Sequence, residues 1–146
     1  MKNRLSEDDY VIIHDAARPI VYQDIIDDLI EKAKANGNAC SAVSCYETVV
    51  LTENRTSGKE QIDRNRIVRV QTPQCYNYGL IKSLYEKADK DNREDFVYAN
   101  ILAMNYGVEI YFSKGTNNNI KITTKDDIAL FRALLYYINN AEGEEN

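Results

Sequence analysis

The sequence lacks the long apolar runs that mark membrane and secreted proteins. No stretch of about 18 apolar residues is present. The polar N-terminus, MKNRLSEDDY, has no apolar centre of the kind that a signal peptide carries. We therefore expect a soluble, cytoplasmic protein that has no membrane partner.

Cysteine and histidine are also scarce. The three cysteines, Cys40, Cys45 and Cys75, are odd in number and show no C-x-x-C spacing. The single His14 cannot complete a standard zinc site with them. We expect reduced, buried thiols that pack as small hydrophobic side chains.

Basic residues are fewer than acidic ones, so the formal net charge is −5. This balance excludes generic nucleic-acid binding, which needs a basic face to displace counterions from phosphates. Three of the acidic residues lie in the tail, 141–146, which we expect to be disordered. By contrast, segment 59–69 carries four basic residues against two acidic ones.

Short β-branched runs alternate with amphipathic helical patterns along the 146 residues, which suffice for one domain over 1–140. This alternation predicts an α/β layer fold. The strand at 10–14 is apolar throughout, so we expect it to be central and covered on both faces. Further strands are predicted at 40–45, 108–112 and 119–123. The predicted helices cover 23–36, 78–89, 95–106 and the segment after Thr124, whose hydroxyl is a candidate cap for the amide of Asp127.

The stretches 48–52 and 62–70 are predicted to form a hairpin, because the loop between them is rich in turn residues. The hairpin is long and polar, which disfavours burial in a small core. We expect it to protrude and to pack on another chain. An ordinary sheet meander is the alternative.

The motif HDAARP, at 14–19, follows the first predicted strand, where open α/β sheets place their ligands. Asp15 could hold Mg²⁺ or a sugar hydroxyl, and the forked guanidinium of Arg18 could grip a phosphate. Alternatively, the two side chains form a pair that only fixes the loop. His14 fits a satisfied, partly buried histidine better than a catalytic base.

Thr72 lies in the sequence TPQ, which predicts a turn stiffened by proline, and Lys121 is the one charge inside a predicted apolar strand. A lysine so placed can neutralise a phosphoryl group, or it can simply face solvent. Together, the carboxylate, cations and hydroxyls suit a transfer between two phosphorylated partners, which rests on positioning and charge neutralisation. No serine or cysteine nucleophile with a histidine base is evident.

HDAARP, the segment 63–74 (DRN…VQTPQ) and NIKITT at 119–124 resemble, in this order, motifs of one enzyme family. These are the cytidylyltransferases that make CDP-methylerythritol in isoprenoid synthesis and CDP-ribitol for wall or capsule polymers. The resemblance spans about 10–137. It implies a Rossmann-like nucleotidyltransferase sheet, incomplete here, in which a phosphate oxygen of the acceptor attacks the α-phosphorus of CTP with Mg²⁺ and releases pyrophosphate.

The same resemblance implies a role for each matching residue. Asp15 and Arg18 would hold substrate and organise the metal region, Thr72 would contact the acceptor, and Lys121 would stabilise charge on the α-phosphate. The hairpin, at 46–70, would be a homodimerisation arm. On that arm, Thr48 and Arg64 would bind the acceptor phosphate in the partner's site.

Two departures from the family pattern have consequences. The glycine-rich loop that cradles the CTP phosphates should precede HDAARP, yet only thirteen residues stand before His14. We therefore expect little activity from this polypeptide alone, with a separate nucleotide-binding half or a non-catalytic dimerisation role as alternatives. In addition, 93–100 lacks the usual Thr-Asp segment, and Asn118 replaces an aspartate, which favours the ribitol branch.

Overall fold

The computed structural model of the chain describes residues 5–93 and 97–141. Of the tail predicted to be disordered at 141–146, Ala141 ends the last helix and residues 142–146 lie outside the described residues. The start of the helix predicted at 95 also lies outside them, and the described helix begins at Ala99. Six strands and four helices follow in chain order over the described part: β1 (Tyr10–Ile13), α1 (Gln23–Asn36), β2 (Asn38–Ser44), β3 (Val49–Leu51), β4 (Glu60–Ile62), β5 (Val68–Asn77), α2 (Tyr78–Lys90), α3 (Ala99–Asn105), β6 (Phe112–Lys114) and α4 (Lys125–Ala141).

Four strands form the main sheet in the order β1-β5-β2-β6. β5 runs antiparallel to both β1 and β2, and β2 runs parallel to β6. Among the described strands, β3 and β4 pair only with each other, as a separate two-stranded sheet. The prediction of an α/β fold with an incomplete sheet is confirmed, and the hairpin forms; its role in dimerisation stays a prediction.

The core has two layers, one on each face of the sheet, because neighbouring strand residues point to opposite sides. On one face, Ala39 and Cys75 pack with Leu29 and Ala33 of α1. The opposite face packs against α2 and α3 and holds the larger cluster of buried side chains: Cys40, Tyr76, Ile81, Leu84, Ala88, Ala99, Leu102, Ala103 and Ile110. All three cysteines are free and buried, as predicted.

Helix α1 ends as its sequence predicts. Gly37 takes up the left-handed conformation, with φ of 84°, and its amide donates to the carbonyl of Ala33. A residue with a Cβ would be strained there, so glycine is the natural C-cap. Tyr10 is partly buried and packs against the same cluster as Ala33.

The prediction that β1 is central is wrong for the described sheet. β1 has β5 as its one neighbour among the described strands, so it forms an edge. Ile12 is 44% exposed and Ile13 is 38% exposed. A run of apolar residues fits a doubly covered strand, but strand order is set by pairing, and among the described strands only β5 pairs with β1.

Two other strand predictions are also wrong. The strand predicted at 108–112 is instead β6, Phe112–Lys114, because the parallel pairing with β2 begins only at Phe112. The segment 119–123 is not a strand. The amide of Ile122 donates instead to the carbonyl of Ala17, 2.8 Å away, so this segment joins the loop that follows β1.

The hairpin is shorter than predicted, since its second strand is Glu60–Ile62. A single 3₁₀ turn at Arg64–Arg66 connects the hairpin to β5, whose residues from Val68 onward belong to the main sheet. Thr72, in TPQ, therefore lies inside β5 rather than in a turn. The ladder with β2 is irregular between Cys40 and Ala42, opposite Pro73, which has no amide to donate.

Helix α4 packs weakly on the rest of the fold, because none of its described side chains is buried. Its N-terminus is capped as predicted, since the Thr124 hydroxyl accepts from the amide of Asp127 at 3.3 Å. The Asp127 carboxylate also accepts from the amides of Thr123 and Thr124, at 2.8 and 2.7 Å. Within the described part of the chain, none of the helices is long and apolar enough to cross a membrane.

Candidate active site

The loop after β1 and the loop before α4 meet at one carboxylate. Lys121 Nζ lies 3.0 Å from Asp15 Oδ2, and Arg18 Nε lies 3.4 Å from the same oxygen. Arg18 Nη1 also donates to the carbonyl of Asn119, at 2.7 Å. Two cations therefore converge on one partly exposed carboxylate, on segments about a hundred residues apart in sequence.

Hydrogen bonds to Thr72 of β5 hold both loops in place. The Thr72 hydroxyl accepts from the amide of Asp15 at 2.9 Å. The fully buried Asn119 side chain donates from Nδ2 to the carbonyl of Thr72 at 2.7 Å. Thr72 is thus bonded to both loops, which holds Asp15 beside the segment that carries Lys121.

The charge of Asp15 is maintained by its partners. Burial by itself would raise the pKa of this carboxyl, but the hydrogen bond and charge of Lys121, with those of Arg18, outweigh burial and hold the pKa below its usual value. The carboxylate is therefore ionised at neutral pH. The pair of cations leaves the site with a net positive charge, which suits phosphate ligands.

These side chains border a cleft of about 280 Å³. Its lining consists of Asp15, Arg18, Val70, Gln71, Thr72, Gln74, Tyr98, Asn100, Ile101 and Lys121. The structure thus brings together four residues that the sequence nominated separately: Asp15, Arg18, Thr72 and Lys121. A second cleft of about 300 Å³ is lined by residues 51–54 and 57–60 of the hairpin and contains none of these four.

The two predicted arm residues lie elsewhere. Thr48 and Arg64 are exposed on the hairpin segment, and neither lines the cleft of its own chain. Arg64 Nη1 donates to the carbonyl of Tyr46 at 3.0 Å. Their predicted role in a partner's site stays a prediction.

His14 is exposed rather than partly buried, and its Nε2 lies 2.8 Å from the Arg18 carbonyl oxygen, to which it can donate. It does not line the cleft. Its side chain therefore takes part in the hydrogen bonding within its own loop.

Sequence reasoning missed Tyr98 and Asn100 as cleft residues, and it missed Asn119 as the residue that ties the two loops to β5. The Tyr98 ring lies 5.6 Å from Lys121 Nζ, a cation–π contact. Asn119 belongs to the NIKITT motif, so the motif itself held that signal. Tyr98 and Asn100 belong to no motif and reach the cleft only through the position of α3.

The chain matches the family described as IspD, 2-C-methyl-D-erythritol 4-phosphate cytidylyltransferase, over residues 2–137. It belongs to this family. A ribitol-5-phosphate cytidylyltransferase of Lacticaseibacillus paracasei is 37% identical over 137 residues, which are 92% of this chain and 58% of that protein. A 2-C-methyl-D-erythritol 4-phosphate cytidylyltransferase of Clostridium novyi is 35% identical over 133 residues, covering 91% and 57%.

Solved structures of the IspD family agree with this fold. The enzyme from Francisella tularensis superposes with a TM-score of 0.78 at 29% identity, covering 90% of this chain and 62% of that one. The Thermus thermophilus enzyme also gives 0.78, at 26% identity, with coverage of 87% and 62%. The chain spans somewhat more than half the length of the relatives it matches.

The donor set of the cleft bears on the Mg²⁺ that the family resemblance implies. The described residues contain no group of three or more histidine, cysteine or acidic side chains that could hold a metal by themselves. Asp15 uses Oδ2 for both cations, so Oδ1 is left for another ligand. One carboxylate oxygen fits a Mg²⁺ that is held mainly by substrate phosphates, and it does not fit a resident all-protein site.

Proposed function

We propose that this chain forms the acceptor side of a CTP-dependent cytidylyltransferase. The reaction would convert CTP and a sugar-alcohol phosphate, either ribitol 5-phosphate or 2-C-methyl-D-erythritol 4-phosphate, into a CDP-alditol and pyrophosphate. The observation that carries the proposal is the convergence of Lys121 and Arg18 on Asp15 in a cleft that Thr72 also lines.

The chemistry of the cleft supports this transfer. A phosphate oxygen of the acceptor attacks the α-phosphorus of CTP, a new P–O bond forms, and the bond to the β-phosphate oxygen breaks. Lys121 and Arg18 supply positive charge where negative charge develops, and this electrostatic support is the main contribution that a protein makes to phosphoryl transfer. Asp15 orients both cations and can accept from an alditol hydroxyl.

Mg²⁺ belongs to the proposal as a companion of the nucleotide. Bound to the CTP phosphates, it would neutralise charge on the leaving pyrophosphate. Oδ1 of Asp15 is the protein atom that could contact it. The remaining ligands would be phosphate oxygens and water.

We propose that the hairpin acts in trans within a cytoplasmic homodimer. Support comes from its isolation, since β3 and β4 pair with no strand of the main sheet. Val50 and Leu51 are about half exposed on this small sheet, so a second chain could cover them. Arg64 would then meet the acceptor phosphate in the partner's cleft.

We also propose that the 146-residue polypeptide by itself turns over slowly. The relatives are longer by the part that the chain does not span. These 146 residues contain no glycine before Gly37, so they do not themselves supply a glycine-rich phosphate loop ahead of HDAARP. Each missing contact to the leaving group costs about 3 kcal/mol.

Titration calorimetry with ribitol 5-phosphate, methylerythritol phosphate and CTP·Mg²⁺, each tested separately, examines the acceptor site directly. We expect an acceptor phosphate to bind without CTP. Lys121→Met should weaken this binding at least tenfold, whereas Lys125→Met, at an exposed lysine outside the cleft, should leave it unchanged. Absence of binding to all three ligands would refute the proposal and favour a non-catalytic dimerisation module.

A mixing experiment examines the arm. Arg64→Ala should abolish acceptor binding, and Arg66→Ala in the same 3₁₀ turn serves as the matched control. Mixed and exchanged, Arg64→Ala and Lys121→Met chains should regain binding in about a quarter of the sites, because half the dimers are mixed and each has one intact site. No recovery on mixing would show that Arg64 does not act across a dimer.

A further inference from the structure

A chain of buried hydrogen bonds runs from the core to the cleft. Cys40 Sγ lies 3.4 Å from the Tyr76 hydroxyl, and that hydroxyl donates to Gln74 Oε1 at 2.7 Å. Gln74 Nε2 then donates to Asn100 Oδ1 at 3.3 Å. All four residues are buried, and the last two line the cleft.

The direction of these hydrogen bonds is set by the Gln74 amide, because its Nε2 also donates to the backbone carbonyl of Gln71 at 3.5 Å, and a carbonyl oxygen can only accept. Burial raises the pKa of the Cys40 thiol to about 11, and burial also raises the pKa of the Tyr76 hydroxyl. Both groups therefore keep their protons at neutral pH. Because Tyr76 donates to Gln74 Oε1, the Gln74 amide nitrogen must point to Asn100, and the oxygen of Asn100 must face that nitrogen.

At the cleft, this series of hydrogen bonds therefore ends in a donor. The Asn100 amide nitrogen has no hydrogen-bond partner among the described residues, and Asn100 borders the cleft. The donor is neutral, whereas the charged donors of the cleft, Arg18 and Lys121, already converge on Asp15. Cations match phosphate oxygens, and an uncharged amide matches a hydroxyl oxygen.

We propose that Asn100 is a specificity residue of this site, whose amide donates to a hydroxyl of the alditol chain and is oriented by Gln74 and Tyr76. The inference rests on the proposed function, because it assumes that the cleft takes a polyhydroxy phosphate. Asn100 contacts the ligand, while Tyr76 is a positioning residue that acts through Gln74. The cleft thereby distinguishes a hydroxylated acceptor from phosphate alone.

The experiment compares ribitol 5-phosphate with inorganic phosphate by titration calorimetry. Asn100→Ala should weaken ribitol 5-phosphate about five- to tenfold and leave inorganic phosphate within about twofold, since one neutral hydrogen bond is lost. Asn105→Ala, at an exposed residue of the same helix, is the matched control. Circular dichroism establishes that each variant is folded.

Tyr76→Phe provides the second variant. Without the hydroxyl, Gln74 and Asn100 are free to turn their amides, so the preference for ribitol 5-phosphate over inorganic phosphate should fall although Tyr76 never touches ligand. If the unsubstituted chain binds neither ligand, the proposed function and this inference both fail. If it binds ribitol 5-phosphate and Asn100→Ala lowers both affinities equally or neither, the inference alone is overturned.

Discussion

Replacing Tyr76 by phenylalanine should destabilise the fold by more than a single hydrogen bond suggests. Tyr76 is fully buried, and its hydroxyl donates to Gln74 Oε1 at 2.7 Å. The substitution preserves the packing of the ring but leaves a buried amide oxygen without its donor. The expected loss in the free energy of unfolding is about 2 kcal/mol.

Urea unfolding followed by circular dichroism measures this loss. Thermal unfolding should show a fall of about 6 °C in the midpoint, given the usual scaling for a chain of this length. Tyr85→Phe is the matched control, because Tyr85 is 45% exposed and water can replace any partner of its hydroxyl. A Tyr76→Phe variant within about 0.5 kcal/mol of the unsubstituted protein would refute the reasoning.

The unsubstituted protein and Tyr76→Phe can also be compared in their free energy of unfolding as a function of pH. Burial raises the pKa of the Tyr76 hydroxyl in the folded state, so the stability that this residue contributes is fully present below the unfolded pKa, about 10, and is lost as pH rises above it. The unsubstituted protein should exceed Tyr76→Phe in free energy of unfolding by a constant amount from neutral pH to about pH 9. This difference should become smaller above about pH 10. A difference in unfolding free energy that grows above about pH 10 would contradict a raised pKa for Tyr76 in the folded state.

Three further predictions concern other parts of the chain. Lys121→Met should raise the pKa of the Asp15 carboxyl, because burial remains when its main partner is gone; carbon-detected NMR titration measures this. Asp127→Ala should reduce the helicity of α4 at neutral pH. Since the pKa of Asp127 is lowered to about 2, the difference in helicity between the two proteins should vanish as pH falls from about 4 toward 2. Circular dichroism at each pH measures this difference. Gly37→Ala should cost about 1 kcal/mol in urea unfolding from its φ of 84° alone, since the added Cβ would meet Leu80 at an ordinary 4.0 Å.

Local signals in the sequence determined much of this protein. The helical periodicity and the glycine at its end predicted α1 within its observed bounds, and Thr124 predicted the start of α4. Three short motifs nominated Asp15, Arg18, Thr72 and Lys121, and all four line one cleft. Such features depend on contacts within a few residues, so the sequence alone carries them.

The tertiary structure decided what depends on neighbours distant in the chain. The apolar run at 10–13 could not reveal that β1 lies at an edge, because strand order is set by pairing with β5. The extended segment around Lys121 looked like a strand but pairs with the loop at Ala17 instead. Asn100 belongs to no motif, and it becomes a cleft residue only because α3 packs where a buried chain of hydrogen bonds reaches it. Hydrogen-bond direction and strand order arise from the assembled core, and for that reason no local pattern encodes them.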